Sequence, residues 1–136
     1  MAELKIETEK GRVNKSAEQI FDFLTNMNNF EGLFMNEYIS NWKSTTNFCT
    51  FDVEGAGQVG FILDEKNKPN IVVYKNYGNV QFEYKMTVLI DKITDNESEV
   101  GIIFQAEVNP FLKMIVKNPL TNLLNDLIKQ INKINF

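Results

Sequence analysis

The 136-residue chain contains no histidine. That absence removes the commonest general base and the commonest metal ligand from any catalytic reading. A single cysteine, Cys49, excludes an internal disulfide, and its apolar neighbours Phe48 and Phe51 fit a small buried hydrophobe better than a nucleophile. Positive charge is scarce. The 14 lysines and arginines against 18 acids leave a net charge of −4, the wrong sign for a footprint on nucleic acid. No apolar run approaches the roughly 18 residues a bilayer-spanning helix needs, and Met1 to Lys10 is charged with no apolar signal core. The expectation is a cytoplasmic protein with no cofactor, no metal and no stable membrane insertion. Pro/Gly-rich linkers are also missing, so one domain over residues 1–136 is expected.

What the chain has in abundance is phenylalanine, 11 copies, and period-two alternation. Leu4, Ile6 and Thr8 alternate with charged residues as in a half-buried strand, and Val13 resumes the pattern after Gly11. Ser16 with Gln19 forms a capping box, so a helix starts there, with Ile20, Phe21, Phe23, Leu24 and Met27 as its apolar face. Phe30, Leu33 and Phe34 predict a second short helical piece. From Glu37 onward strands dominate. Tyr38, Ser40 and Trp42 share one face, Cys49, Phe51 and Val53 the next, and Val59, Phe61 and Leu63 a third, with turns at Thr45–Asn47 and Glu54–Gly57. A polar loop is expected over Asp64–Asn70, then a strand at Ile71–Lys75. The strongest alternation follows: Phe82, Tyr84, Met86, Val88 and Ile90, then Val100, Ile102, Phe104, Ala106 and Val108. One side of this sheet is apolar and the other wet, which suits an antiparallel sheet covered on a single face. The cover is a helix. Leu120, Leu124, Leu127, Ile131 and Ile134 recur at helical spacing from Pro119, where Asn118 is read as the cap, after a separate helical turn over Phe111–Lys117.

The order of these elements, one strand, two short helices, six strands and a long helix, is that of the helix-grip fold. In detail the segment Asn14-Lys15-Ser16-Ala17-Glu18-Gln19-Ile20-Phe21-Asp22-Phe23-Leu24 resembles the opening of START-like proteins, the superfamily of Bet v 1, polyketide cyclases and lipid-transfer domains. Asn109-Pro110-Phe111-Leu112-Lys113-Met114 and Lys117-Asn118-Pro119-Leu120-Thr121-Asn122 are similar to segments of a small bacterial branch of it. The resemblance implies an α+β fold in which a curved seven-stranded antiparallel sheet wraps a C-terminal helix and leaves a cavity between them.

The alternation aims Phe51, Phe61, Phe82, Tyr84, Met86 and Phe104 at Met114, Leu123, Leu124 and Leu127. Each of these residues could simply be core. Together, under a grip-type fold, they suit an apolar ligand pocket in which Tyr38, Trp42, Tyr74 and Tyr84 supply the hydrogen-bonding atoms. The carboxylate pairs Asp52 with Glu54 and Glu83 with Glu107 fall on wet faces, where no raised pKa is expected. Gly55, Gly57 and Gly60 precede a strand and not a helix N-terminus, so they are no phosphate loop. The expected function is binding or transport of a small hydrophobic molecule, lipid-like or aromatic. The alternatives are a cyclase- or aromatase-like enzyme and a protein-interaction module. Pro110 to Asn118 is expected to act as the ligand's door.

Overall fold

The computed structural model describes residues 2–34, 37–54, 57–134 and 136. Two strands, β1 (Ala2–Glu7) and β2 (Gly11–Val13), lead to helix α1 (Ala17–Leu24), a 3-10 turn (Met27–Asn29) and helix α2 (Phe30–Phe34). Then come β3 (Ile39–Ser44), β4 (Phe48–Val53), β5 (Gly57–Asn67), β6 (Ile71–Asn76), β7 (Tyr84–Thr94), β8 (Glu97–Val108) and helix α3 (Pro110–Lys133). All pairings are antiparallel, in the order β1-β8-β7-β6-β5-β4-β3, with β2 also on β8. β1 and β2 are the single first strand of the sequence reading, cut in two. Thr8 holds the cut: its N–H donates to the Ile102 carbonyl and its hydroxyl accepts from the Ile102 N–H, both at 2.9 Å.

The capping box is present. The Gln19 N–H donates to the Ser16 hydroxyl at 3.1 Å, and the Gln19 side-chain oxygen accepts from the Ser16 N–H at 3.0 Å. The alternation of β7 and β8 survives intact as well: Tyr84, Met86, Val88 and Ile90, and Val100, Ile102, Phe104, Ala106 and Val108, are buried. Four boundaries differ from expectation. β5 continues to Asn67, so the loop expected from Asp64 is reduced to Lys68–Asn70. β7 begins at Tyr84, leaving Phe82 in the connection before it. β3 carries a bulge between Ser40 and Lys43, with Asn41 at φ 55°, which breaks the expected Tyr38/Ser40/Trp42 alternation. The turn expected at Glu54–Gly57 falls partly on Gly55 and Ala56, outside the described residues.

The fourth difference concerns α3, which is one helix where a break at Pro119 was expected. Its cap is Asn109, whose side chain accepts from the Leu112 N–H at 2.8 Å, and Pro110 occupies the first turn where a missing N–H is harmless. Pro119 sits inside and leaves the Ile115 carbonyl without its helical donor. Both residues are exposed, so the orphan group is not buried. Just beyond, the Thr121 hydroxyl donates to the Lys117 carbonyl at 2.7 Å and the Asn125 amide to the Thr121 carbonyl at 3.1 Å, side-chain bonds that brace the interrupted turn.

α3 packs on β1, β2, β8 and α2. Only its second half is sunk: Leu124, Leu127, Ile128 and Ile131 are buried, whereas no residue from Pro110 to Leu123 is fully buried. Strand register fixes which connections lie beside the start of α3. Ile39 pairs with Val53, Val53 with Gly57, Lys75 with Lys85 and Tyr84 with Ala106. The α2–β3 and β6–β7 connections therefore share one end of the sheet with Pro110.

Candidate ligand site

The sheet's concave face is tiled with rings in contact. Trp42 stacks on Phe51 with centroids 5.1 Å apart, Phe51 meets Phe34 at 5.2 Å, and Phe34 meets Phe61 at 5.9 Å. From Phe61 the chain of contacts runs to Tyr84 at 5.4 Å, then to Phe104 at 5.5 Å and Phe82 at 5.7 Å. Such offset and edge-on pairs add ~0.5–1.5 kcal/mol each beyond area burial, so the wall is stiff. It spans β3 to β8 because residues two apart on each strand present the same face. Phe30 and Phe34 of α2 close it from above, with Phe30 5.2 Å from Tyr74. Sequence reasoning placed these two rings on a short helix and missed them as part of the wall; their i, i+4 spacing was the available signal.

Of the residues expected to line the site, Phe51, Phe61, Tyr74, Tyr84, Met86, Phe104, Leu124 and Leu127 are buried in this cluster. Trp42, Phe82 and Leu123 are half-buried against it. Met114, expected to face the sheet, is 73% exposed, and Tyr38 is 56% exposed. For Met114 the reason is helix continuity. Because α3 is unbroken, the phase set by Leu120 and Leu124 carries upstream to Val116 and Leu112, which turn toward the sheet and leave Met114 on the opposite side. Tyr38 precedes β3 and lies outside its alternation.

The polar atoms expected to fix a ligand are engaged within the protein. The Tyr74 hydroxyl donates to the Leu24 carbonyl at 2.6 Å, taking up a carbonyl at the end of α1. The Tyr84 hydroxyl donates to the Gly60 carbonyl at 2.6 Å and accepts from the Gly60 N–H at 3.0 Å. The Trp42 indole N–H donates to the Ser44 hydroxyl at 3.1 Å, which in turn donates to the Asn28 side chain at 2.6 Å. Burial drives the ionisable groups of this face toward their neutral forms. It pushes the Cys49 thiol up to about 12 against the opposing hydrogen bond from the Phe61 backbone. Burial likewise lifts Tyr84 to about 12, and Tyr74 well above the usual phenol range, each with a smaller contribution from Cys49. Among the described residues no group of Cys, Asp and Glu is arranged to hold a metal.

No protein-family model matches the sequence, and no curated protein sequence matches it significantly. Solved structures do. A START superfamily protein from Mycobacterium smegmatis superposes with a TM-score of 0.68 at 13% identity, covering 96% of this chain and 99% of its own. The protein XoxI from Bacillus cereus gives 0.71 at 17% identity over 98% and 94% of the two chains. Norcoclaurine synthase from Thalictrum flavum, in complex with dopamine and hydroxybenzaldehyde, gives 0.69 at 10% identity over 99% and 90%. The chain has the START/Bet v 1-like helix-grip fold.

Proposed function

We propose that the protein binds a small, mostly apolar molecule, lipid-like or aromatic, between the concave face of the sheet and the first half of α3. The observation that carries this reading is the contrast along α3. After Leu123 the helix is anchored by four buried aliphatic residues; before it, Leu112, Val116 and Leu120 pack against the core only half-buried. A helix segment held by half-buried contacts alone is suited to yield space to an apolar guest. The similar fold of norcoclaurine synthase holds dopamine and hydroxybenzaldehyde, and guests of that size suit the ring wall here. Binding is favoured over acid–base chemistry because Cys49, Tyr74 and Tyr84, the buried ionisable residues among those described, keep their protons near neutral pH.

Native mass spectrometry of gently purified protein is expected to find a retained apolar ligand, or stoichiometric uptake of a fluorescent fatty acid or aromatic probe by emptied protein. Val116→Trp, which adds bulk on the core-facing side of the helix, is expected to reduce uptake below detection while the melting temperature stays within a few degrees. Protein that takes up none of these probes would sink the reading. Hydrogen exchange provides a second check. Amides of residues 112–118 are expected to exchange at least about tenfold faster than those of 124–131, since they lack buried anchors. Equal protection across Pro119 would remove the first half of α3 as the door.

A further inference from the structure

Given an apolar site between the sheet and the first half of α3, as proposed above, we infer that its occupant carries one carboxylate, held by the Lys113 ammonium. Two of the chain's cationic side chains are half-buried, Lys15 and Lys113, and the others are exposed. Lys15 is engaged within the fold. Its ammonium donates to the Ile131 and Asn132 carbonyls at 3.3 and 3.2 Å and lies 4.6 Å from the centre of the Phe136 ring. Lys113 differs: among the described residues no carboxylate, carbonyl or ring engages its ammonium.

The position opposes a lysine on two counts. Lys113 lies three, seven and eleven residues before Val116, Leu120 and Leu124, so it continues the stripe by which α3 meets the core. It also stands in the first turn of the helix, where the dipole favours an acid and disfavours a cation, and that turn contains no acid. The acids at this end of the sheet, Glu3, Glu37, Glu54, Glu83 and Glu107, are exposed, and none pairs with Lys113. A charge set against both the apolar stripe and the helix dipole, with nothing to offset it, is the local conflict expected at a functional position. A bound carboxylate removes it, through a charge-assisted hydrogen bond to the ammonium and through its own attraction to the positive end of the helix. One lysine in a chain of net charge −4 matches a single negative charge and not the dianion of a phosphate ester. By strand register the acid group then sits at the Pro110 end, with the apolar body toward Tyr84 and Phe104.

The test is titration of emptied protein with matched probes, decanoic acid beside decanol and naphthylacetic acid beside naphthylethanol, for wild type, Lys113→Met and Lys113→Arg. At least one acid is expected to bind wild type at least about tenfold more tightly than its alcohol, and the pair that does so tells a fatty from an aromatic ligand. Lys113→Met is expected to abolish that preference while alcohol binding persists, and Lys113→Arg to keep most of it. The melting temperature of empty Lys113→Met is expected to equal or exceed that of wild type, because no bond is lost. Equal binding of acid and alcohol by wild type, or a preference that survives Lys113→Met, overturns the inference and leaves the apolar site standing. A Lys113→Met protein that unfolds several degrees early gives the lysine a structural role and overturns it as well. Failure of every acid and every alcohol to bind refutes the site itself, and the carboxylate with it.

Discussion

Between pH 9 and pH 12 the protein is expected to lose most of its folding stability. The cause is the set of protons held on the concave face. Cys49, with an ordinary value of 9.0, is raised to about 12, Tyr84 rises from 10.0 to about 12, and Tyr74 rises well above 10.0, all chiefly by burial. Each raised group stabilises the fold fully below its unfolded value and loses that contribution as pH climbs toward its folded value, because the unfolded chain releases a proton the folded chain keeps. One such group contributes about 1.4 kcal/mol per pH unit. From pH 9 the thiol leads; the two phenols join it around pH 10, and above that the combined slope approaches about 4 kcal/mol per unit. Against a typical total of about 5–15 kcal/mol, that slope removes a large share of the stability by about pH 12. Urea melts at constant ionic strength from pH 8 to 11 read the effect directly. Cys49→Ala isolates the thiol from general repulsion, since both proteins share every other charge. Its stability should decline less steeply than the wild type's between pH 9 and 10, and parallel curves would refute the assignment.

Two of these protons, on Cys49 and Tyr84, sit where strand alternation in the sequence puts them. Cys49 and Tyr84 occupy inward positions of strands whose alternation is legible in the sequence, whereas Tyr74 lies in β6, legible only as a β-branched strand, where Val72, Val73 and Tyr74 are all buried. The capping box at Ser16 and the apolar faces of β7 and β8 were equally legible, because each rests on spacing within about ten residues. What escaped the sequence depends on partners far along the chain. Pro119 reads locally as a helix start, yet the cap at Asn109 and the packing of residues beyond Leu123 hold one helix through it. The bulge at Asn41 and the exposure of Tyr38 follow from pairing with β4, not from the residues of β3. For the site, the ring wall was visible and the fate of its hydroxyls was not. The hydroxyls of Tyr74 and Tyr84 bond to backbone 50 and 24 residues away, so their availability to a ligand could not be read from side-chain type.

Gly60→Ala is expected to destabilise the protein by about 3 kcal/mol or more. The last β6–β7 pair is Lys75 with Lys85, and beyond it the chain turns back over β5 through Tyr77 and Gly78. The Tyr77 N–H donates to the Gly60 carbonyl at 3.2 Å, so the returning backbone lies directly on Gly60. A Cβ there would run into the Tyr77 carbonyl, with the Thr50 methyl only 3.0 Å away. Neither the backbone of the turn nor a buried β4 residue can rotate aside. Any shift of β5 also breaks the double bond between Gly60 and the Tyr84 hydroxyl, which reaches past the end of β6 to satisfy both backbone groups of Gly60. An unsatisfied buried group of that kind costs about 1–3 kcal/mol on top of the overpacking. Gly101→Ala is the control. Its added carbon would meet only the Lys10 stem at 3.6 Å, an ordinary contact, and its stability is expected to change by no more than about 0.5 kcal/mol. Urea melts of the two variants side by side separate a clash specific to the β6–β7 turn from a general cost of placing alanine in this sheet; equal midpoints would refute the packing argument at Gly60.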